Sequence, residues 1–205
     1  EYRLDVIEVG DNPATIVSNA ASDREKGVDH PVVGRYDGSG ITHQETTQFG
    51  QYEILTGPEA TESVQGAVTM TLYEAPNDAS SFGVYATYRD FLTQLGFEIL
   101  YSCEPGVCEG GLLGDVYGLA PFADNGNYSH PAPFTNGSYA KSYFLSAKRE
   151  SAGVTLYVSA AIAAGWQERP QYKLDVVQIG ENAGAIVSTG GGETAEAPEE
   201  AAPES

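Results

Sequence analysis

The phrase YRLDVIEVGDNPATIVSNA, residues 2–20, returns near the other end of the chain as YKLDVVQIGENAGAIVSTG, residues 172–190. Laid over each other from Tyr2 and Tyr172, the two copies share nine identities: Tyr, Leu, Asp, Val, Gly, Asn, Ile, Val and Ser. Two unrelated strands of ordinary composition would share about one. Any fold for this chain must therefore use one β-type ribbon twice. In the first copy Tyr2, Leu4 and Val6 fall on one face of a strand, Arg3 and Asp5 on the other, and Gly10-Asp11-Asn12-Pro13 stops it. The expected interaction strand is Tyr2, Leu4, Val6, Ile7 and Val9, with Tyr172, Leu174, Val176, Val177 and Ile179 as its counterparts.

Three uses of the repeat are open. The first copy is the closing strand of a preceding domain in a tandem array, with a domain-sized period of roughly 170 residues. Or it pairs beside the second copy in one sheet. Or it adds to the exposed edge of a neighbouring molecule, a head-to-tail contact that propagates into a fibre unless the rotation closes.

Between the copies the pattern favours strands. SDREKGVD, Ser22–Asp29, reads as a polar linker. Ile41–Leu55 reads as a hairpin or two short strands broken near Phe49-Gly50, and Gly66–Glu74 as a stronger alternating strand. One helix stands out, SSFGVYATYRDFLTQLG: Ser80 or Ser81 caps it, Phe82, Tyr85, Tyr88 or Arg89, Leu92 and Leu95 follow the helical period, and Gly96 ends it. Phe97–Cys103 is a strand, 104–140 a long structured loop rich in Gly, Pro and Asn, and Lys141–Glu150 with Gly153–Ala164 a hairpin. From Gly190 on, the acidic low-complexity run lacks large apolar side chains and reads as a flexible tether. The expected class is α+β: a mainly antiparallel sheet with one principal helix on one face. The expected divisions are 1–20 as the duplicate of 171–190, 21–29 as linker, 30–190 as the domain and 191–205 as tail.

A formal net charge of −19 with only ten Lys and Arg repels phosphate backbones and anionic lipid, so nucleic-acid binding and charge-driven membrane docking are not expected. No stretch is long and apolar enough to span a bilayer as a helix, and the residues contain no leader peptide, so an exported chain is expected to be in its mature form or an excised piece. Cys103 and Cys108, in CEPGVC, are read as a short disulfide loop over Pro105-Gly106, with a metal or redox pair as the weaker alternative; the disulfide implies an oxidising compartment.

No residue set announces catalysis. His30, His43 and His130 are far apart and show no metal-ligand spacing; no GxSxG is present; and among 29 Asp and Glu any carboxylate pair is most simply surface charge. GRYDGSG at 34–40 and ADNGN at 123–127 read as turns rather than calcium loops. No catalytic residue, metal or cofactor is expected. Tyr117, Phe122, Tyr128 and Phe134 in the long loop, part of a longer aromatic run that reaches Tyr143, either fill a satellite core beneath the loop or form a binding surface for carbohydrate, such as cell-wall glycan, or for protein.

DHPVVGRYDGSGI, a strand ending YEAP, and SSFGVYATYRDFLTQLGFEILYSCE with a second Cys shortly after together resemble the DUF4892 domain, over about Asp29–Ile179. That is a bacterial envelope domain of unknown function, often found N-terminal to an OmpA-like peptidoglycan-binding domain. The resemblance implies export and residence in the periplasm, at the outer membrane or on the surface of a Gram-negative bacterium. It brings no catalytic residues. This chain departs from the pattern in its acidic tether, which no OmpA-like domain follows within the sequence, and in the added N-terminal phrase. The leading expectation is a non-enzymatic envelope or surface protein whose partner is protein: itself head to tail, or a tandem neighbour. A periplasmic or outer-membrane module associated with glycan or peptidoglycan is the alternative, and a secreted hydrolase using acidic residues the third reading.

Overall fold

A computed structural model describes residues 16–17, 23, 27–108, 142–164 and 170–180. Eight strands and one helix follow in the order β1 (Ile16–Val17), β2 (Arg35–Tyr36), β3 (Gly40–Gly57), β4 (Ala60–Glu74), α1 (Ser81–Gln94), β5 (Glu98–Cys103), β6 (Tyr143–Ser151), β7 (Val154–Ala164) and β8 (Pro170–Ile179). Six of the strands form one antiparallel sheet in the order β3-β4-β8-β7-β6-β5, and β1 pairs with β2 beside it. The architecture is α+β and mainly antiparallel, with one helix, as the pattern predicts.

Local chemistry explains most elements. Ser80 caps α1 by accepting a hydrogen bond from the Gly83 N–H at 2.9 Å. At the other end Gly96 takes φ +78°, and the Arg149 guanidinium donates to the Leu95 carbonyl at 3.1 Å. The helix buries Val84, Tyr85, Tyr88 and Leu92 against the sheet; Phe82, expected on that face, is 53% exposed, with its ring centroid 6.0 Å from that of Tyr143. Ala152 and Gly153, both at positive φ, make the two-residue turn that joins β6 to β7.

One expectation about the early chain is corrected. The break near Phe49-Gly50 is no turn: β3 runs unbroken from Gly40 to Gly57, and the register shift between Thr47 and Gly50 is a β-bulge. At its described residues the segment read as a polar linker is held against the domain. Asp29 and Asp23 both pair with the fully buried Arg35, and the side-chain amide of Gln44 bonds both main-chain groups of Val28. An arginine in that position must bring carboxylates with it, because a buried unpaired charge is prohibitively costly.

The bulge helps to redirect the hairpin. β4 pairs with β8 only over Ala67–Glu74, so the distal half of the β3–β4 hairpin leaves the sheet plane at Gly66. It folds across the face opposite α1: Leu55 packs with Phe144, Ala161 and the Cys103–Cys108 disulfide, and Ile54 packs with Val177 and Tyr157. The sheet is thus covered on both faces, by the helix on one and by its own hairpin on the other.

Candidate functional site

The second copy of the repeated phrase is β8, and β8 lies in the middle of the sheet. It pairs with β4 over Gln171–Gln178 and with β7 over Pro170–Ile179. Both of its edges are taken, so another strand cannot be added beside it, and pairing of the two copies side by side in one sheet is excluded while β8 holds its place. Pro170–Val177 are all buried.

Toward the helix, Tyr172 stacks on Tyr73 with ring centroids 4.8 Å apart and meets Tyr88 at 5.5 Å. Its hydroxyl oxygen accepts from the Tyr36 N–H at 3.1 Å. Burial, above all, holds the Tyr172, Tyr73 and Tyr88 hydroxyls protonated far above the ordinary tyrosine range. Leu174 and Val176 complete this face in the main core. The Arg35 cluster adjoins it: Tyr73 donates to Asp29 at 2.8 Å. Burial works against ionisation of Asp23, but the Arg35 guanidinium and the Ile41 N–H outweigh it, and its carboxyl titrates below the usual range.

Toward the hairpin, the alternation that reads as a solvent face is instead a second interior. Lys173 and Asp175 are 2% and 1% exposed, and the Lys173 Nζ lies 2.9 Å from Asp175 Oδ2. Tyr52, carried over by the folded hairpin, donates to the same oxygen at 2.6 Å and lies 2.9 Å from Ser159 Oγ. A hydroxyl, an amine and a carboxylate in one cluster have the ingredients of acid–base chemistry. Here Ser159, Lys173 and Asp175 are sealed from solvent, and Asp175 Oδ2 takes both the Lys173 ammonium and the Tyr52 hydroxyl while Oδ1 is buried without a hydrogen-bond partner; that enclosure suits fixing a register better than meeting a substrate. A one-residue slip of β8 would drive both charges under the helix, so the pair specifies alignment.

Tyr172, Leu174, Val176, Val177 and Ile179 thus belong to one built strand, whereas Tyr2, Leu4, Val6, Ile7 and Val9 lie outside the described residues. So do Tyr117, Phe122, Tyr128, Phe134 and His130. Tyr143 from the same aromatic run packs on Tyr85 at 5.1 Å, as a satellite of the core. Cys103 and Cys108 form a disulfide and are buried. Among the described residues no group of three or more His, Cys, Asp or Glu is arranged to hold a metal, and no helix is long and apolar enough to cross a membrane. His30 accepts at Nδ1 from the Val32 and Val33 N–H groups, and His43 pairs with Glu45. Sequence reasoning misses Lys173, Asp175, Tyr52 and Ser159. The recoverable signal is that the repeat keeps a cation and an Asp at matching places, Arg3/Lys173 and Asp5/Asp175. No protein-family model matches the chain, and no curated protein matches it either.

Proposed function

We propose that this chain is a non-enzymatic structural and interaction protein of a bacterial cell envelope or cell surface, and that its repeated strand is the means of contact, head to tail or in a tandem array. One observation carries the reading. The copy of the phrase at 172–179 is a central strand with both edges paired and both faces covered. A segment that repeats its pattern at 2–9 is built for full enclosure by protein, since four apolar side chains and a Tyr would otherwise face water. Among the described residues, the dense cluster of reactive groups on β8 is closed to solvent, which favours a structural role over catalysis. The disulfide is compatible with an oxidising compartment, and the resemblance to the DUF4892 domain points to the envelope.

The test is to remove residues 1–9 while keeping β1, whose pairing with β2 a deletion through Ala20 would destroy. Parent and truncated chains are refolded at concentrations approaching the millimolar effective concentration of a tethered strand, then sized by light scattering. The parent is expected to give a ladder of oligomers and the truncated chain only monomer. Identical size distributions and identical melting would end the proposal.

A further inference from the structure

The two halves of the phrase are each seen once in place, in different copies. The first half is seen at the second copy, where Tyr172–Ile179 is the central strand β8. The second half is seen at the first copy, where Ile16-Val17 is β1. There Ile16 pairs with Tyr36 and Val17 with Arg35, and the Val17 carbonyl approaches so closely that a Cβ on Gly34 would stand 2.2 Å from it. Between the halves both copies keep the same spacing, Gly10 to Ile16 and Gly180 to Ile186. We propose that the phrase is a junction: residues 2–9 are the β8 of another copy of this same domain, and Ile16-Val17 opens the copy that follows it. The inference rests on the repeated strand being the means of contact, and it names the partner.

Complementarity carries the argument. The slot that β8 fills makes four unusual demands, and Tyr2–Gly10 meets each. It wants a Tyr to stack on Tyr73 and accept from the Tyr36 N–H, which Tyr2 supplies. It wants a cation and a carboxylate two residues apart beneath Tyr52, which Arg3 and Asp5 supply. It wants branched or long apolar residues at the places of Leu174, Val176, Val177 and Ile179, and Leu4, Val6, Ile7 and Val9 stand there. It ends on Gly180 at φ +124°, where a Cβ would meet the Gly153 carbonyl at 2.4 Å; Gly10 has none. An unrelated edge strand asks for none of the buried charges. The slot of the domain that contains β1 is already filled. Reaching it from β1 would also stretch residues 10–15 almost fully: β8 spans about 23 Å from Tyr172 to Ile179 at about 3.3 Å per residue. Its far end is the one that Gly10 would have to leave, while β1 lies beside Tyr36, at the Tyr172 end.

The experiment places a second copy of residues 16–170 directly before Glu1 of the full chain, giving a domain without a β8 of its own. Backbone hydrogen exchange is read at residues 3–9, with and without Leu4→Lys and Val6→Lys. The expected result is exchange slowed at least about 100-fold at 3–9, matching 173–179, and loss of that protection together with unfolding of the added copy alone in the double variant. Fast exchange at 3–9 in the extended chain overturns the proposal. A companion variant of the ordinary chain, Lys173→Arg with Val177→Ile, Gln178→Glu and Ile179→Val, writes the first copy into β8. It is expected to melt within about 5 °C of the parent, and failure to fold would also overturn the proposal. If 3–9 stay unprotected while removal of residues 1–9 still abolishes oligomers, the partner is some other surface and only this inference falls. If both experiments are null, the proposed contact function falls as well.

Discussion

The two faces of β8 are equally dry but built from opposite materials. Under α1 lie Tyr172, Leu174 and Val176, packed with tyrosine rings and aliphatic side chains; under the folded hairpin lie Lys173, Asp175 and Val177, with an ion pair, a tyrosine hydroxyl and a serine. The helix face gains from apolar burial, which is tolerant of alignment. The hairpin face gains little net energy from its charges, since their desolvation offsets most of their attraction. It gains alignment, because only one register brings cation, carboxylate and Tyr52 together. One face supplies adhesion and the other supplies address.

The sharpest way to break this contrast is to remove half of the pair. Asp175→Ala leaves the Lys173 ammonium buried without its carboxylate and is expected to cost about 3–5 kcal/mol in urea unfolding. Replacing both, Lys173→Met with Asp175→Leu, is expected to recover most of that loss, because no charge is then buried. A double variant as unstable as the single one would show that the pair supplies adhesion after all.

The helix face should answer differently. Leu92 is fully buried between α1 and the sheet, and Leu92→Ala is expected to cost about 3 kcal/mol through lost transfer energy and the cavity left behind. No second substitution of charge would rescue it; refilling the volume with Met would. Smaller again is the helix cap. Ser80→Ala removes the acceptor for the Gly83 N–H at an exposed end and is expected to cost about 1 kcal/mol, read as a shift of the thermal midpoint.

What the sequence discloses follows the same division. The helix, its Ser80 cap and its Gly96 stop are written in neighbouring residues, so periodicity and capping preferences find them. The β6–β7 hairpin and the disulfide between Cys103 and Cys108 are also local. The hairpin face is not local. β4 pairs with β8 across about a hundred residues of chain, and Tyr52 reaches Asp175 only because a bulge at Thr47–Gly50 and the departure at Gly66 turn the hairpin back over the sheet. Alternation of Leu174 with Lys173 and Asp175 reads as core against solvent, since period-two patterning reports polarity and not what covers the polar side. Gly50 reads as a break for a similar reason: a glycine in a strand signals either a turn or a bulge. Asp23 and Asp29 read as part of a solvated linker because charge in a short polar run is usually exposed, and nothing nearby in the sequence announces that Arg35 is buried between them.

The gentlest probe acts on the seam between the docked linker and the helix face. His30 is mostly buried, and its Nδ1 accepts from the Val32 and Val33 N–H groups, so the folded chain holds the ring neutral with its proton on Nε2. Burial, chiefly, and the nearby positive charge of Arg149 lower its pKa from the ordinary 6.5, against a smaller opposing pull from Gln178. Above pH 6.5 folded and unfolded chains both carry a neutral ring, and stability is at its full value. As the pH falls through 6.5 the unfolded chain takes up a proton that the folded one refuses. Stability therefore drifts down until the folded ring titrates too. Asp23 adds a separate loss at lower pH: its folded carboxylate is held by Arg35, so that stabilisation is present above the ordinary 3.8 and disappears as the pH falls below it. Unfolding midpoints between pH 8 and 3 should show two descending segments. His30→Asn keeps an acceptor for the turn without a titrating ring, and is expected to flatten the upper segment while leaving the lower one in place. An unchanged slope between pH 6.5 and 5 in that variant would assign the upper segment to another group and leave the seam uncoupled from pH.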